Sequence, residues 1–594
     1  MSRFLAPFVL LLAGLVTLGW WLPNRPVDVG AGRDAGGMFN SLSFAPYRAN
    51  ESPLTERFPT AAEADADMAL LVGRTRAVRT YAAIEGNYET AALARKHGLK
   101  LWQGIWLGAD RAKNEQEIAR GIALANRYPD TIERVVVGNE VLLRRDLPPA
   151  ELIADIDRVR AAVKQPVAYA DVWEFWTQFP EVARHVDVVL LHLLPYWEDT
   201  PTGIDQAVGH VREVYHRMAV LFPGKTIGIG ETGWPSRGRE RRDALPSRVN
   251  EARFLNAFMA LARQEGFDYN FIEAFDQVWK YKSEGVVGAN WGLFTPDRAA
   301  KFPAAGPVAE DPDWPEHAAL SVGLGLALLV FALKRPGLPK LPPSARFRLA
   351  ILAMALGGAL GFAVAETAPE LYDAHLFLAG VVNLSGQVAL AVLLLVRVER
   401  ILAGEPAPPP RTGAAATEAV RTIFHPHWPR LHAEAAFEDL SFVFAWTAAL
   451  LQALLVFDPR YREFPLASFA VPLVAVLARA LARDLPVGGG GREEAVVGGA
   501  LALGAVVSLV QEGLANGQSL RWNAAALVLA GPVLLRLVRR ARDGREESVR
   551  SATGPGAVRE EAWAALPRRE GGEGLRSVRE GASPSGMPNT NRLN

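Results

Sequence analysis

The sequence predicts two structural classes in one chain: an α/β domain folded as a (β/α)8 TIM barrel, followed by an all-α polytopic membrane domain. Between residues 37 and 302, apolar strand-like runs alternate with amphipathic helical stretches, which is typical of a parallel α/β fold. Eight such runs fall within about 265 residues, close to the usual size of a (β/α)8 barrel. From residue 317 onward, seven apolar runs approach or reach the length that crosses a bilayer.

The first element is an apolar segment at residues 4–22 that contains no charge. Arg3 precedes it, and it ends in Trp20 and Trp21, which suit a membrane-water interface. We interpret residues 1–24 as a transmembrane anchor. A cleaved signal peptide is the alternative, but the run is long for such a peptide and no A-x-A-like cleavage site follows it.

The barrel strands are predicted where short apolar runs are rich in β-branched and aromatic residues. They lie at 39–47, 77–82, 99–107, 134–140, 166–172, 186–197, 225–231 and 270–280. The six stretches between them that have helical periodicity mostly end at a Gly or Pro stop. They lie at 61–74, 88–98, 114–129, 149–163, 205–222 and 250–266.

The membrane domain, residues 317–538, is predicted to contain about seven transmembrane helices. They lie near 317–333, 349–365, 376–396, 441–457, 464–482, 495–511 and 522–538. The last run is interrupted by Pro532 and Arg536, so a re-entrant or interfacial segment is the alternative there. The tail 541–594 mixes charges with Gly, Ser and Pro and is predicted to be disordered.

The distribution of basic residues predicts the orientation of these spans. Lys and Arg cluster in alternate connections, at 334–348, 397–430, 479–492 and 539–542. The connection 366–375, by contrast, contains neither Lys nor Arg. We therefore expect a multi-pass protein with the barrel outside and both termini in the cytoplasm. The richness of the chain in Ala, Arg and Gly favours a bacterial inner membrane, with the barrel on the periplasmic side.

The overall composition excludes several classes of function. The 594 residues include 64 basic and 64 acidic residues, which gives no electrostatic reason to expect nucleic acid as a partner. With no cysteine there is no disulfide, thiolate metal site or thiol nucleophile. The histidines of 425–432 lack partner ligands in register, so we expect neither a metal site nor a cofactor.

Two carboxylates are the candidate catalytic residues. Glu140 follows the buried run of the fourth strand, and Glu231 ends the seventh. Strand ends of a barrel carry its active residues, so both side chains are expected in one mouth. Two facing carboxylates can perform glycoside hydrolysis, and a spacing near 5 to 5.5 Å would imply retention through a covalent intermediate.

The competing interpretation of each glutamate is a helix cap or an ion pair. The matching positions of the two residues favour catalysis, provided that neither is buried against a permanent cation. His192, within the sixth strand, either steadies a catalytic carboxylate or is a satisfied interior histidine. Aromatic side chains at strand ends offer faces to sugar rings, and Tyr196, Trp197 and Trp279 are the first candidates.

Four motifs together resemble glycoside hydrolase family 17. They are "VVVGNEV", "IGIGETGWPSRG", "FDQVWK" and "WGLFTPD", in this order. The resemblance covers residues 37–302 and is closest to a bacterial, membrane-linked branch associated with β-(1→3),(1→6)-glucan synthesis. It implies a retaining enzyme that cleaves a β-1,3-glucan and transfers the piece to a glucan acceptor.

The resemblance also implies residue roles. Glu140 would be the general acid/base, Glu231 the nucleophile, and Asn139 the partner of the 2-hydroxyl of the transferred sugar. The positions that match the lining of the family's cleft are Tyr47, Tyr196, Trp279, Lys280 and Glu284. The strand-end aromatics Trp197 and Trp234 are predicted to bind substrate as well. The chain departs from the branch at Val278, where its relatives have Pro.

Several functions remain open on the sequence alone. A plain endo-β-1,3-glucanase would hydrolyse instead of transferring, and a catalytically silent protein would bind glucan beside a glucan synthase. A glucan exporter is a further alternative, disfavoured because the spans contain few ionisable residues. Asn383, Gln387, Gln452 and Gln511 are polar residues within the spans, and hydrogen bonds between helices explain them as well as a transport path does.

Overall fold

The computed structural model describes residues 4–30, 37–303, 305–335, 341–405, 433–482, 484 and 492–553. The chain forms two compact units, Met1–Leu537 and Val538–Asn594. Of the second unit, the residues up to Thr553 are described, as the end of the last helix. The histidine-containing stretch 425–432 and most of the predicted tail lie outside the described residues.

Eight parallel strands close into a barrel in chain order, with β8 paired to β1. They are β1 Phe39–Ser43, β2 Thr75–Arg79, β3 Lys100–Ile105, β4 Ile132–Asn139, β5 Val167–Val172, β6 Val188–His192, β7 Thr226–Thr232 and β8 Tyr269–Phe271. Because each strand is covered on both faces, its sequence reads as a continuous apolar run. The predicted barrel is confirmed.

Helices surround the barrel at the predicted places. In chain order they are α2 Ala61–Leu71, α3 Thr90–Lys96, α4 Arg111–Arg127, α5 Val141–Arg144, α6 Pro149–Ala162, α7 Trp173–Gln178, α8 Ile204–Leu221, α9 Arg248–Glu265 and α10 Tyr281–Gly288, and α1 Leu5–Trp21 precedes the barrel. The helix starts follow from caps: Thr60 and Glu63 form a capping box at α2, and Asp110 caps α4. The short α5, α7 and α10 have no counterpart in the predicted pattern.

The eighth strand is shorter than predicted. It ends at Phe271. Ile272 N and Ala274 N still donate to Thr232 O of β7 and Ser43 O of β1, but the residues between and after them bond to the segment 289–294. Glu273 N donates to Trp291 O at 3.0 Å, and Asp276 N donates to Phe294 O at 2.9 Å. Trp279 and Lys280 therefore lie in a short 3-10 turn above the barrel and not in a strand.

The C-terminal part is helical. Its helices are α11 Trp314–Leu333, α12 Pro343–Thr367, α13 Ala374–Leu402, α14 Ala433–Phe457, α15 Ala470–Leu481, α16 Arg492–Glu512 and α17 Gly517–Thr553. Within the described residues, five helices are long and apolar enough to cross a membrane, namely α11, α12, α13, α14 and α16. Two further apolar helices, Leu5–Trp21 and Ala467–Leu481, are shorter, and 17 residues measure about 26 Å against a bilayer core of about 30 Å.

Small residues set the packing of α11 on α12. A Cβ added to Gly357 would meet the backbone of Gly325 and Ser321, and one added to Gly361 would meet the Ser321 side chain. This small-xxx-small pattern on both helices lets the backbones approach closely. Helix α1 packs on the same pair, since Trp20 Nε1 donates to Ser321 Oγ at 2.9 Å.

The last helix corrects the predicted start of the tail at residue 541. α17 continues to Thr553, so the first residues of the segment predicted to be disordered are helical. Residues 538–553 are rich in Arg, Ala and Glu, which are strong helix formers, and extending an existing helix needs no new nucleus. The remaining tail, 554–594, lies outside the described residues.

Polar contacts join the barrel to three connections of the helical part. After α12, Glu370 contacts Arg237 at 3.3 Å. Before α17, Asn516 Nδ2 donates to Glu240 O at 2.8 Å. Between α14 and α15, Arg462 O accepts from Arg239 Nη1 at 2.6 Å. All three barrel partners belong to the loop after β7, at the carboxyl end of the barrel.

Candidate active site

Glu140 and Glu231 lie on the same end of the barrel, where the strands terminate. Glu140 follows β4 directly and has a left-handed backbone, with φ of 52°. Its N–H donates to Ala170 O in β5 at 2.8 Å, which anchors this strained turn. Glu231 lies within β7, in register with His192 of β6.

The two carboxylates face each other across a short gap. One side-chain ligand atom each from Glu140, His192 and Glu231 lies within 4.8 Å of the others. A carboxylate oxygen of Glu140 is therefore within 4.8 Å of one of Glu231. Inverting glycosidases keep their carboxyl groups about 6.5 to 9.5 Å apart, whereas retaining enzymes keep them about 5 to 5.5 Å apart. The spacing fits the retaining geometry.

Arg79, at the end of β2, connects the catalytic strands. Its Nη1 donates to Gly230 O at 2.7 Å and contacts Glu231 Oε1 at 3.2 Å, and its Nη2 donates to Asn139 Oδ1 at 2.6 Å. The guanidinium is fully buried. The expectation that neither carboxylate has a permanent cationic partner is therefore wrong for Glu231. A nucleophilic carboxylate must be ionised, so a cation beside one oxygen serves this role, and no described residue donates to Oε2.

Glu140 is paired with His192 instead. His192 Nδ1 lies 2.8 Å from Glu140 Oε1, and its ring is buried. Burial raises the pKa of the Glu140 carboxyl, but the His192 hydrogen bond and the charges of His192, Arg144 and Arg79 outweigh burial and lower the pKa below its usual value. Of the two interpretations of His192, the structure therefore supports the one in which its imidazole contacts the Glu140 carboxylate.

Asn139 offers a donor to the cleft. Its Oδ1 is held by Arg79, which fixes the orientation of the amide. Among the described residues, no hydrogen bond donated by its Nδ2 group is found. An amide N–H in this position can donate to a sugar hydroxyl.

Further titratable groups surround the pair. Lys280 Nζ donates to Glu273 Oε1 at 2.8 Å, and burial raises the pKa of Glu273 to about 7. Burial also raises the pKa of Glu284; Lys280 opposes this shift, and the charges of Glu140 and Glu231 add to it. Lys280 and Glu284 both lie in the segment after β8 that the resemblance assigns to substrate binding.

The predicted aromatic residues divide into two groups. Trp197 and Trp279 are half-buried and keep accessible ring surface. Tyr196 is 1% exposed and Trp234 is fully buried, and each donates its polar hydrogen to a backbone carbonyl. The prediction that Tyr196 and Trp234 contact the sugar directly is therefore corrected, because both rings pack beneath the loops. Tyr47 is 8% exposed and packs edge-on against Trp279 at 6.3 Å.

The described residues contain one group whose donor atoms converge enough to hold a metal ion, and it is Glu140, His192 and Glu231. A cation here would be repelled by the Arg79 guanidinium, 3.2 Å from Glu231 Oε1. The same convergence is what a carboxylate pair needs to act on one glycosidic bond. The donor set therefore fits acid/base chemistry better than a metal centre.

Three polar residues near the site were missed in the sequence, namely Arg79, Asp171 and Glu273. Asp171 contacts the Tyr169 hydroxyl, and burial raises its pKa to about 6, with the Glu140 charge acting in the same direction. All three lie in apolar runs, as Glu140 does. A charged residue within a buried strand is the signal that could have found them.

Comparison with known proteins identifies the catalytic part. Residues 41–292 match the family model of the BtgE/BtgC glycoside hydrolase domain. A glucan 1,3-beta-glucosidase of Schizosaccharomyces pombe is 30% identical over 255 residues, covering 40% of this chain and 78% of that protein. One of Candida albicans is 25% identical over 261 residues, covering 40% and 84%.

Among solved structures, the glycoside hydrolase family 17 beta-1,3-glucanosyltransferase of Rhizomucor miehei is similar. It is 28% identical, covers 45% of this chain and 97% of that one, and has a TM-score of 0.40. The family model falls on the barrel that carries Glu140 and Glu231. The chain therefore belongs to the glycoside hydrolases that carry a BtgE/BtgC domain.

Proposed function

We propose that this chain is a retaining β-1,3-glucan-active enzyme that cleaves a glucan and transfers the glycosyl piece to a second glucan. The observation that carries the proposal is the carboxylate pair within 4.8 Å, with Arg79 on one member and His192 on the other. The glucan substrate is supported by the names of the curated relatives, which are glucan 1,3-beta-glucosidases.

In the first step, ionised Glu231 attacks the anomeric carbon while Glu140 protonates the leaving glycosidic oxygen. The glycosidic bond breaks and a glycosyl ester to Glu231 forms. The Arg79 contact to Glu231 Oε1 leaves Oε2 as the attacking oxygen. Asn139 Nδ2 donates to the 2-hydroxyl, a hydrogen bond that strengthens as charge develops on the sugar.

In the second step, Glu140 accepts a proton from an incoming hydroxyl, whose oxygen attacks the anomeric carbon and releases Glu231. When the hydroxyl belongs to a glucan the result is transfer, through β-1,3 elongation or β-1,6 branching. When it belongs to water the result is hydrolysis, the second candidate function. The accessible faces of Trp197 and Trp279 favour transfer, because they can hold an acceptor sugar.

Product analysis separates these outcomes. The detergent-solubilised full chain is incubated with a laminari-oligosaccharide, and the products are resolved by size and linkage. Products longer than the substrate, or products with β-1,6 branches, are expected. Shorter products alone would establish a hydrolase, and binding without any product would establish a silent scaffold.

The membrane placement is also part of the proposal. The barrel would lie on the periplasmic face of a bacterial inner membrane, where it acts on glucan supplied by a synthase. Three connections of the helical part contact the barrel, and each is predicted to be on the outer side, which supports this topology. The five long apolar helices support membrane insertion.

Single cysteines test the orientation, because the natural chain contains none. Asp458→Cys lies in a connection that faces the barrel side, and Lys334→Cys follows α11 at the other end. A membrane-impermeant maleimide added to intact spheroplasts is expected to label only the Asp458→Cys variant. Labelling of Lys334→Cys instead would reverse the topology.

A further inference from the structure

The connection between α14 and α15, residues 458–466, reaches the barrel mouth. The Tyr461 ring lies 5.9 Å from the Trp197 ring, at an angle of 85°. A Cβ added to Gly285 would stand 2.7 Å from Tyr461 O, so this close approach requires glycine. Arg239 anchors the connection, with its guanidinium 4.4 Å above the Phe464 ring.

The turn that Tyr461 contacts also carries Glu284, which directly precedes Gly285. Burial raises the pKa of the Glu284 carboxyl, and the charges of Glu140 and Glu231 act in the same direction. Trp197 stacks on Trp291 at 6.3 Å, and Trp291 O accepts from Glu273 N beside Lys280. Tyr461 thus contacts both Trp197, which follows β6, and the turn that carries Glu284.

The backbone of Tyr461 is unusual. Its φ is 64°, a left-handed conformation that bulky residues rarely adopt. Its ring and the Trp197 ring are both only half-buried. The Arg460 guanidinium lies 4.8 Å from the centre of the Tyr461 ring. The two perpendicular rings form a corner that matches the apolar C–H face and edge of a sugar ring. Beside them, Glu463 Oε1 is buried without a hydrogen-bond partner among the described residues.

We propose that Trp197 and Tyr461 form a sugar-binding subsite for a β-linked glucan, one wall of which is supplied by the helical part. Tyr461 is a positioning residue that holds a sugar unit remote from the cleaved bond. The proposal rests on the proposed glucan activity and deepens it. It gives the helical part a role in substrate recognition in addition to attachment.

The test is the chain-length dependence of the kinetics of Tyr461→Ala. Full-length protein in detergent is assayed with laminari-oligosaccharides of increasing length. KM is expected to rise about three- to tenfold for oligosaccharides long enough to reach the subsite, with kcat and the shortest active substrates unchanged. Tyr461→Phe, which keeps the ring, is expected to behave as the natural chain.

Asp458→Asn is the matched control, because this exposed residue lies in the same connection and its carboxylate forms an ion pair with Arg462. If Tyr461→Ala does not fold, Tyr461→Leu keeps the bulk and removes the aromatic face. If Tyr461→Ala and the natural chain have equal KM values at every substrate length, the proposed subsite is wrong. A loss of kcat in Tyr461→Ala that is independent of substrate length would also contradict it. Inactivity of the natural chain on every glucan would instead refute the proposed function.

Discussion

The barrel and the helical part both bury polar side chains inside apolar runs, but the groups are used differently. In the barrel, Asn139 and Glu231 are each held on one atom by Arg79, and their other atoms remain available to the cleft. In the helical part, Gln387 is fully buried and fully bonded. It donates to Asn383 Oδ1 at 2.8 Å and Ala467 O at 3.1 Å, and accepts from Val471 N at 3.0 Å.

This difference teaches how to read a buried polar residue. Burial of a polar group costs free energy unless hydrogen bonds replace water, so every such residue needs a partner. A group whose atoms are all satisfied by the protein stabilises the fold. A group that is fixed on one side and free on the other is prepared for a ligand. The following variants test that distinction.

The largest effect is expected for Glu231→Gln, which removes the nucleophile and keeps the shape. The amide cannot form the glycosyl ester, so kcat/KM for laminari-oligosaccharides should fall on the order of 10⁴-fold or more. Stopped assays with product separation measure the loss. The midpoint of thermal unfolding should change little, because the amide oxygen still accepts from Arg79.

Glu251→Gln is a useful control for this variant. Glu251 is a fully buried carboxylate in α9, outside the cleft, and Lys301 lies 3.6 Å away. Burial raises its pKa to about 8, so the neutral amide mimics its protonated form near neutral pH. Activity should persist. Retained activity in Glu231→Gln would contradict the mechanism.

The fold itself was largely predictable. Eight strands and six helices follow from apolar periodicity and from stop residues, which are local signals. The end of β8 was not predictable, because residues 272–280 read as a strand. Glu273, Asp276 and Gln277 instead bond to the distant segment 289–294. The contacts between the loop after β7 and the helical part involve exposed-looking polar residues, and no local pattern predicts which distant loops meet.

The site was predictable in part. Glu140 and Glu231 stand out because each ends a buried run, and the structure brings them together; their catalytic roles stay predictions. Arg79 carries the same signal in "AVRTY" but needs the closed barrel to reach β4 and β7. Trp234 was misassigned, because the sequence does not distinguish an aromatic ring above a loop from one beneath it.

The second largest effect is expected for Glu140→Gln, and it should depend on the leaving group. A glucan needs its leaving oxygen protonated, so kcat/KM should fall about 10²- to 10⁴-fold. A dinitrophenyl glycoside has a leaving group that needs no proton, so its first step should be nearly unaffected. Burst kinetics with both substrates measure this contrast, and equal losses on both would exclude Glu140 as the acid.

A smaller effect, on pH dependence, is expected for His192→Ala. The acid step requires protonated Glu140, and the contact with His192 lowers the pKa of that carboxyl whereas burial raises it. Removing the imidazole leaves burial and should raise the pKa, so Glu140 stays protonated to higher pH. The basic limb of the kcat/KM profile should therefore shift to higher pH.

His185→Ala provides the comparison for that profile. His185 Nδ1 also contacts a carboxylate, Asp157, at 2.9 Å, but on the outside of the barrel. Its removal should leave the profile in place. A basic limb that does not move, or moves to lower pH, in His192→Ala would show that the contact does not govern the acid.

The smallest effect on activity is expected for Gln387→Leu, which tests the helical side of the comparison. The variant leaves Ala467 O and Val471 N without their side-chain partner and should lower the free energy of unfolding by about 1–2 kcal/mol, with kcat/KM unchanged. Gln511→Leu removes one exposed bond to Val456 O at 3.3 Å and should leave stability unchanged. Denaturant titration in detergent, read by tryptophan fluorescence, compares the two variants. A loss of activity in Gln387→Leu without a loss of stability would mean that fully bonded polar groups in the helices also serve the reaction, and the distinction between the two halves would fail.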